Sequence, residues 1–415
     1  MAGRGIAGLA LAALAAGLAF GPTAFAGESA TKATSFPTAA NGRIVFTSTR
    51  DSAGADGDVF IANADGSGAT NLTPGNPGSD SYEPSLSPDG TKIVFAVDPG
   101  GAHAHIWVMN VDGTNPVDLT PTGANLAEGA PSFSPDGKRI VFTSERSDSD
   151  GDIFVMNADG SNPANLTPTD TQADQRSEWS PDGSRIYFDR DIDPGGGFNG
   201  HVAVMNADGS SPQDLGPGFS PSPSPDGTKV VFERDVGSYG HIWVANPDGS
   251  GATDLTPTTN LNSFDPEFSP DGTKILFWRD IDPASLGFQY EVLVMNADGS
   301  GVTQVTHSPT GTDSYDPGWE YVYTCGGMRA TITGTQSSEK IVGTKAADVI
   351  VSLGGNDKVA GGKGKDRICG GDGKDKLSGG PGNDKIYGDA GKDTLTGGKG
   401  KDKLVGGPGK DKQKQ

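Results

Sequence analysis

The chain is poor in the residues that most enzymes use for chemistry. Its 415 residues include two cysteines and five histidines, His103, His105, His201, His241 and His307. There is no G-x-S-x-G elbow and no H-E-x-x-H helix, so those two routes to hydrolysis have no residues to run on. Long apolar runs are missing too. After Ala26 none approaches the roughly twenty residues that cross a bilayer, and a soluble mature chain with no membrane span is expected. Hydrophobic residues make up only 33%, which raises disorder as a reading. What is abundant argues against it. The 64 glycines and 29 prolines fall in register, as many short strands and turns require.

The N-terminus carries Arg4, an apolar run to Phe20 and then Ala24-Phe25-Ala26, the order of a secretory leader and its cleavage site. Gly21-Pro22 interrupts the run too early for an anchor. A leader over 1–26 and a linker over 27–40 are expected, with a secreted or extracytoplasmic destination. The net charge of −21 is unevenly divided. From Cys325 onward there are 17 Lys and Arg against 11 acids, or +6, leaving 15 against 42, or −27, for the rest. Such an acidic body repels phosphate backbones, so nucleic acid is discounted as a partner. In an oxidising compartment the even cysteine count favours one disulfide, Cys325 to Cys369.

Ser-Pro-Asp-Gly recurs at Ser87, Ser134, Ser180, Ser224 and Ser269, its aspartates 47, 46, 44 and 45 residues apart. A period of about forty to fifty belongs to four-stranded propeller blades. Proline second and glycine fourth suit a type I turn. A β-branched or aromatic strand follows each turn, such as Lys92-Ile93-Val94-Phe95 or Lys274-Ile275-Leu276-Phe277, as a half-buried pleat prefers. A third strand such as Ile106 to Asn110 then runs into an Asn-x-Asp-Gly turn. That turn occurs six times against five of the first. The missing inner strand is displaced to Asp316-Pro317-Gly318-Trp319, which aligns with Asp265-Pro266-Glu267-Phe268. It is expected to complete the N-terminal blade and close the ring, removing the free sheet edge. These repeats resemble the TolB-type propeller over roughly 41–323. The resemblance implies an all-β, six-bladed propeller and says little about function, because such propellers serve scaffolds and enzymes alike.

From Gly334 the period changes to nine. Sixth positions read Glu339, Asp348, Asp357, Asp366, Asp375, Asp384, Asp393, Asp402 and Asp411, and eighth positions are aliphatic from Ile341 to Leu404. The run over 334–412, after a junction at 324–333 and before a tail at 413–415, resembles the RTX nonapeptide repeat. That resemblance implies a parallel β-roll with Ca2+ between its turns, the eight aspartates being candidate ligands. Glycine allows the tight loop that brings carbonyls together, and carboxylate oxygens suit calcium. Folding is expected to be coupled to metal. One departure stands out: position five is Lys365, Lys374, Lys392, Lys401 or Lys410 in five units, and position seven is Lys or Arg in most. Cations there should weaken metal binding or partly replace it. Asp348, Asp357 and Asp384 escape the position-five lysines and are expected to anchor the tightest sites.

Arg50-Asp51, Arg190-Asp191, Arg234-Asp235 and Arg279-Asp280 recur after the second strands. They are expected on one rim, with Asp265 and Asp316 nearby, either as ion pairs between blades or as a docking face for an unknown protein, peptide or glycan. His103 and His105 form a possible metal pair without a third ligand. Asp148-Ser149-Asp150-Gly151-Asp152 resembles half a calcium loop but lacks its distal Glu. The function expected is a noncatalytic, monomeric extracellular binding protein. A propeller-based lyase or hydrolase and a structural spacer are the alternatives.

Overall fold

In the computed structural model, every regular element among the described residues is a strand. Described are 39–51, 56–74, 79–100, 104–121, 127–146, 151–168, 172–192, 200–282 and 289–415. The expected leader lies outside them, as do His103 and Asp148-Ser149-Asp150.

Six antiparallel sheets form the propeller. Five take their four strands in sequence order. Blade 2, for example, runs Asp80–Leu86, Lys92–Asp98, His105–Asn110 and Val117–Asp118. Blade 1 is assembled from both ends of the domain. Its inner strand Ser314–Cys325 pairs with Ala39–Ser48, setting Trp319 opposite Ile44 and Tyr315 opposite Thr47. The ring is thus closed by hydrogen bonds between residues some 270 apart in sequence, as the displaced sixth strand required.

Each Ser-Pro-Asp-Gly turn fastens itself. Gly90 N–H donates to Ser87 O at 2.8 Å, Ser87 Oγ donates to Asp89 Oδ1 at 2.7 Å, and Lys92 N–H donates back to Ser87 Oγ at 2.9 Å. Gly90 has φ +67°, where a side chain is disfavoured. The second strands are buried on both faces, so they read as continuous apolar runs rather than alternating ones. Ile44 and Phe46 pack toward Leu276 and Val292 of blade 6, while Val45 packs toward Ile93 and Phe95 of blade 2. Each buried phenylalanine contributes about 2–3 kcal/mol, and Phe46, Phe142, Phe188 and Phe277 are wholly buried.

Beyond Cys325 the chain becomes a parallel solenoid of about five turns. One ladder holds Ile332–Thr333, Val349–Val351, Arg367–Cys369, Lys385–Tyr387 and Lys403–Val405. The opposite ladder holds Lys340–Val342, Lys358–Ala360, Lys376–Pro381, Thr394–Lys399 and Lys412–Lys414. Partners lie 18 residues apart, such as Ile350 and Ile368, so two nonapeptides make one turn. Ile350, Val359, Ile368, Leu377, Ile386 and Leu395 stack as the narrow core between the ladders. A third short ladder, Gly354–Gly355, Asp372–Gly373 and Ala390–Gly391, joins turns along one side.

Several contacts join the propeller, the junction and the roll, among them Arg367 Nη1, which donates to Gly326 O at 2.7 Å. Cys325 and Cys369 form a disulfide, their Cα atoms 5.7 Å apart. Glu320 accepts from Arg43 at 2.9 Å and from Arg329 at 2.7 Å. Ser337 Oγ donates to Asp182 O, in a Ser-Pro-Asp-Gly turn, at 2.8 Å. The roll therefore sits on the face made by those turns, and the opposite face carries the ends of the second strands.

Candidate functional site

The roll places its sixth-position carboxylates in two columns, Asp348, Asp366, Asp384 and Asp402 on one side and Asp357, Asp375, Asp393 and Asp411 on the other. Below the first of each column, every aspartate accepts, through Oδ1, the N–H of the aspartate one turn earlier, and Asp357 accepts that of Glu339. Asp357 donates to Asp375 at 2.8 Å and Asp366 to Asp384 at 2.9 Å. The second oxygen is unmatched: Oδ2 of Asp357, Asp366, Asp375, Asp384, Asp393 and Asp402 is buried with no hydrogen-bond partner. A buried acceptor left so costs about 1–3 kcal/mol, more when charged. Burial raises the carboxyls of Asp357, Asp366, Asp375, Asp384 and Asp393, Asp375 to about 7 and Asp357 to about 6, and the next carboxylates in the stack push Asp375 further.

A calcium ion fits this donor set. Each Oδ2 faces a turn whose carbonyls lie against the next turn. A Cβ at Gly370 would meet Asp375 Oδ2 at 2.6 Å and Gly388 O at 2.8 Å, and one at Gly388 would meet Gly406 O at 2.5 Å and Asp393 Oδ2 at 2.7 Å. Only glycine permits that approach. Among the described residues no three His, Cys, Asp or Glu side chains converge as a metal cluster, so backbone carbonyls must supply part of any coordination, as hard oxygen ligands can for calcium. The position-five lysines Lys365, Lys374, Lys392, Lys401 and Lys410 are all exposed, while the aspartates that follow them turn inward.

The propeller axis holds a cavity of about 240 Å3. The residue before the second inner-strand half has positive φ in all six blades: Glu83, Ala130, Arg176, Ser220, Asp265 and Asp316. A bulge there breaks the register with the second strand and turns these side chains to the axis. Coulombic attraction of Asp265, Asp189, Glu83 and Asp316 holds the charge on Arg176 firmly. Burial pushes Asp189 up to about 8 and Glu233 to about 9. Asp265 also anchors Trp278, whose Nε1 donates to its Oδ2 at 2.6 Å, and it accepts from Ser220 Oγ at 2.5 Å.

Deeper in the cavity stand Glu178, Glu267 and Tyr321. Enclosure raises Glu178 to about 7, and burial together with the charge of Glu178 raises Glu267. The floor is made by Tyr321 and Tyr323 with Gly334, Gln336 and Leu353 of the roll. The roll thus stops the channel at one end, a relationship that no motif in either repeat announces.

On the opposite face, Tyr82, Trp278, Tyr290 and Tyr315 line a cleft with Asp80 and Asp313. Trp278 and Tyr290 meet edge to face, ring centres 4.8 Å apart, and Phe264 stacks on Trp278 at 4.2 Å. Nothing in the repeat consensus singles out these aromatics.

The arginines of the expected docking face turn back on their own blades. Arg50 lies over Phe46 and Phe60, Arg190 over Phe188, Arg234 over Phe232 and Trp243, and Arg279 over Phe277, at 5.0–5.9 Å. Arg190 also pairs with Asp174 at 2.7 Å, and Arg279 bonds Ser263 at 2.8 Å. These bonds run within blades rather than between them. Asp191 and Asp280 are buried, Asp51 accepts from Asn71 at 3.1 Å, and Asp235 is exposed. Asp265 and Asp316 belong to the axial group instead.

The histidines are likewise committed. His105, His201 and His241 each bond the aspartate 13 residues later, Asp118, Asp214 and Asp254, at 2.8–2.9 Å on three separate blades. They do not gather at one metal. The same place is filled in blades 1 and 3 by Asp58 with Asn71 and Asp152 with Asn165.

Comparison with known proteins agrees with both halves of this architecture. The RTX calcium-binding nonapeptide repeat (4 copies) matches residues 333–368, 342–377, 369–404 and 378–412. No curated protein matches in sequence. Among solved structures the chain is similar to TolB from Acinetobacter baumannii, with TM-score 0.55 and 22% identity over 67% of this chain and 66% of that one. It is also similar to Kuenenia stuttgartiensis hydrazine synthase, with TM-score 0.55 and 15% identity over 68% of this chain and 47% of that one. A third likeness is to a chain of a nidogen/laminin complex, with TM-score 0.51 and 13% identity over 67% and 97%. The chain spans just under two thirds of the Acinetobacter TolB, and at these identities the likeness is one of fold. Enzyme and binding protein alike share this propeller, whereas the tail's repeats carry a specific chemistry; the chain joins a six-bladed propeller of TolB-like fold to a β-roll of RTX calcium-binding repeats.

Proposed function

We propose that this protein is a noncatalytic binding scaffold that works outside the cytoplasm. Calcium sets its tail, and the propeller face opposite the roll docks a protein, peptide or glycan. The observation that carries the calcium part is the set of six buried Oδ2 atoms without partners, distributed over both columns. In this reading the aspartates and the glycine-turn carbonyls hold the ions. Bound calcium would neutralise the stacked carboxylates and let the narrow core of the roll close.

The docking part rests on the aromatic cleft of Tyr82, Trp278, Tyr290 and Tyr315. Tyr and Trp beside carboxylates offer flat apolar area together with hydrogen-bond acceptors, as binding surfaces do. The cystine at the joint suits an oxidising compartment. In the nidogen/laminin complex a propeller of this fold takes part in an assembly, which is consistent with such a role. The test is a glycan and peptide array probed with the intact protein in calcium and with Trp278→Ala. Saturable binding that the substitution abolishes supports docking at this face, and binding indifferent to Trp278 refutes it.

A second reading has one specific support. Glu178, Glu267 and Tyr321 are carboxyl and phenol groups with raised proton affinity in an enclosed cavity, the setting in which acid–base catalysis is found. A lyase or hydrolase of this kind would lose turnover in Glu178→Gln while keeping its binding.

A further inference from the structure

Both outer faces of the roll carry cations in register, Arg367, Lys385 and Lys403 on one and a lysine row on the other, and the two differ in how far they are covered. The face bearing Cys369 and Tyr387 is partly covered by the joint, where Cys325, Val349, Val351 and Cys369 pack together with Tyr323 and Leu353. The opposite face is uncovered. Its strands place Lys340, Lys358, Lys376, Thr394 and Lys412 side by side in strict register. All four lysines are exposed, and none forms an ion pair among the described residues.

The next column on this face is Val342, Ala360, Ser378, Thr396 and Lys414, mostly small side chains. No acidic residue stands in either column. The turns at the edges add exposed Lys365, Lys374, Lys392, Lys401 and Lys410. The acids of the tail are largely turned inward, as Asp357, Asp366, Asp375, Asp384 and Asp393 are about 1% exposed. The surface is therefore far more cationic than the +6 balance of the tail suggests.

Like charges facing each other on neighbouring strands destabilise a sheet, and here Lys340, Lys358 and Lys376 face one another on successive turns. Neither column holds an acid to offset them. Strands lie about 4.8 Å apart, close to the length of one sugar unit, so the lysines form a straight row of cations, interrupted once by Thr394, beside a column of mostly small side chains. We infer that this face binds a linear acidic polysaccharide, laid across the strands with its carboxylate or sulfate groups on the lysine row. A nucleic acid strand fits less well, because the face offers no aromatic side chain on which bases could stack. Calcium in the roll strengthens the attraction, since each bound ion adds positive charge behind the face. This surface is separate from the propeller face, so either can fail without the other.

The test uses the full chain in calcium, titrated with a heparin oligosaccharide, with dextran as the neutral control and single-stranded DNA as the competing polyanion. Saturable, salt-sensitive heparin binding is expected, with none to dextran. Combining Lys340→Gln, Lys358→Gln, Lys376→Gln and Lys412→Gln should weaken it about tenfold or more, four exposed pairs each contributing a few-fold at most. The charge-matched control, Lys92→Gln, Lys138→Gln, Lys229→Gln and Lys274→Gln on the propeller, should bind like wild type. The four lysines changed to Arg should keep binding, and an unaltered calcium response in circular dichroism shows that each variant is folded. If the glutamine combination does not fold, Lys376→Gln alone should still weaken heparin a few-fold. The inference is overturned by any of four results: no heparin binding by wild type, an equal loss in the propeller control, DNA bound as tightly as heparin, or salt-sensitive self-association that the roll variant abolishes. The last would mean that the lysine row meets the acidic propeller of a second copy.

Discussion

Asp357 and Asp375, one turn apart in the roll, are linked head to tail. The Asp357 N–H donates to Asp375 Oδ1 at 2.8 Å, while Asp375 Oδ2 is buried with no partner. The first oxygen is structural, and the second is free to serve a cation. Asp375→Asn should therefore keep the stacking bond through its amide oxygen and lose calcium. In calorimetry the number of ions bound should fall by at least one. Calcium at about a hundred times its Kd stabilises a folded form by about 2.7 kcal/mol per site, so the calcium-induced rise in Tm should shrink while Tm in chelator stays level or rises. An undiminished rise in the variant would remove Asp375 from the ligand set.

The exposed lysine that directly precedes Asp366, Asp375, Asp393, Asp402 and Asp411 sets a second expectation. Lys374→Ala should tighten calcium binding by a few-fold at low salt, and the gain should fade near 0.15 M salt, where the Debye length is about 8 Å. Asp348, Asp357 and Asp384, which no position-five lysine precedes, should form the tightest sites. A gain independent of ionic strength would mean that the lysine acts on the turn's shape rather than through its charge.

The Cys325–Cys369 bridge closes a loop of 44 residues. Cys325→Ser with Cys369→Ser should lower stability by about 4 kcal/mol on loop entropy. Denaturant unfolding of the double variant in calcium would show the roll melting before the propeller, and a single unshifted transition would contradict the role given to the bridge.

Trp319 on the closing strand is 3% exposed and packs with Ile44, Phe46 and Leu276. Trp319→Ala should cost about 3–5 kcal/mol and promote aggregation as the blade 1 edge frees itself. Truncation before Asp316 should do more. A thermal melt unchanged by either would defeat ring closure as a source of stability.

Glu233 titrates near 9 because burial first, and Asp265 second, disfavour its charge. The folded form keeps a proton that the unfolded chain releases near 4.5. Wild type must then lose stability as pH rises between about 4.5 and about 9. Glu233→Gln has no proton to lose, so it should match wild type in acid and exceed it in alkali, by up to about 6 kcal/mol if the whole shift is expressed. Parallel stability profiles across that window would show that the carboxyl is not held neutral.

Much of this architecture is written in spacings. The pairing of Asp316-Pro317-Gly318-Trp319 with Asp265-Pro266-Glu267-Phe268 foretold the closed ring, because equal turn chemistry demands equal position, and Asp316 and Asp265 share φ near +45°. The fate of the arginines was legible as well. Phe188 and Arg190, Phe232 and Arg234, and Phe277 and Arg279 stand two apart on one strand and so share a face. The 13-residue step from His105 to Asp118 recurs from Asp58 to Asn71, which marks a conserved bond with exchanged partners rather than a metal site. Other features carry no such sign. The aromatic cleft draws Trp278 and Tyr290 from one blade and Tyr82 and Tyr315 from two others, and only the closed ring brings them together. The stopped channel depends on the direction in which the chain leaves Cys325, which neither repeat determines.

The joint uses only the beginning of the roll. Gln336, Ser337, Leu353 and Cys369 reach the propeller or its cavity and Tyr387 packs at the joint, and the turns after Tyr387 touch little but the turn before them. Adding or deleting eighteen residues beyond Tyr387 would leave that joint untouched and change only how far the rod projects. Length is thus an adjustable property of this protein, open to drift or selection one full turn at a time, whereas a step of nine residues would exchange the two sides and put each carboxylate on the wrong column.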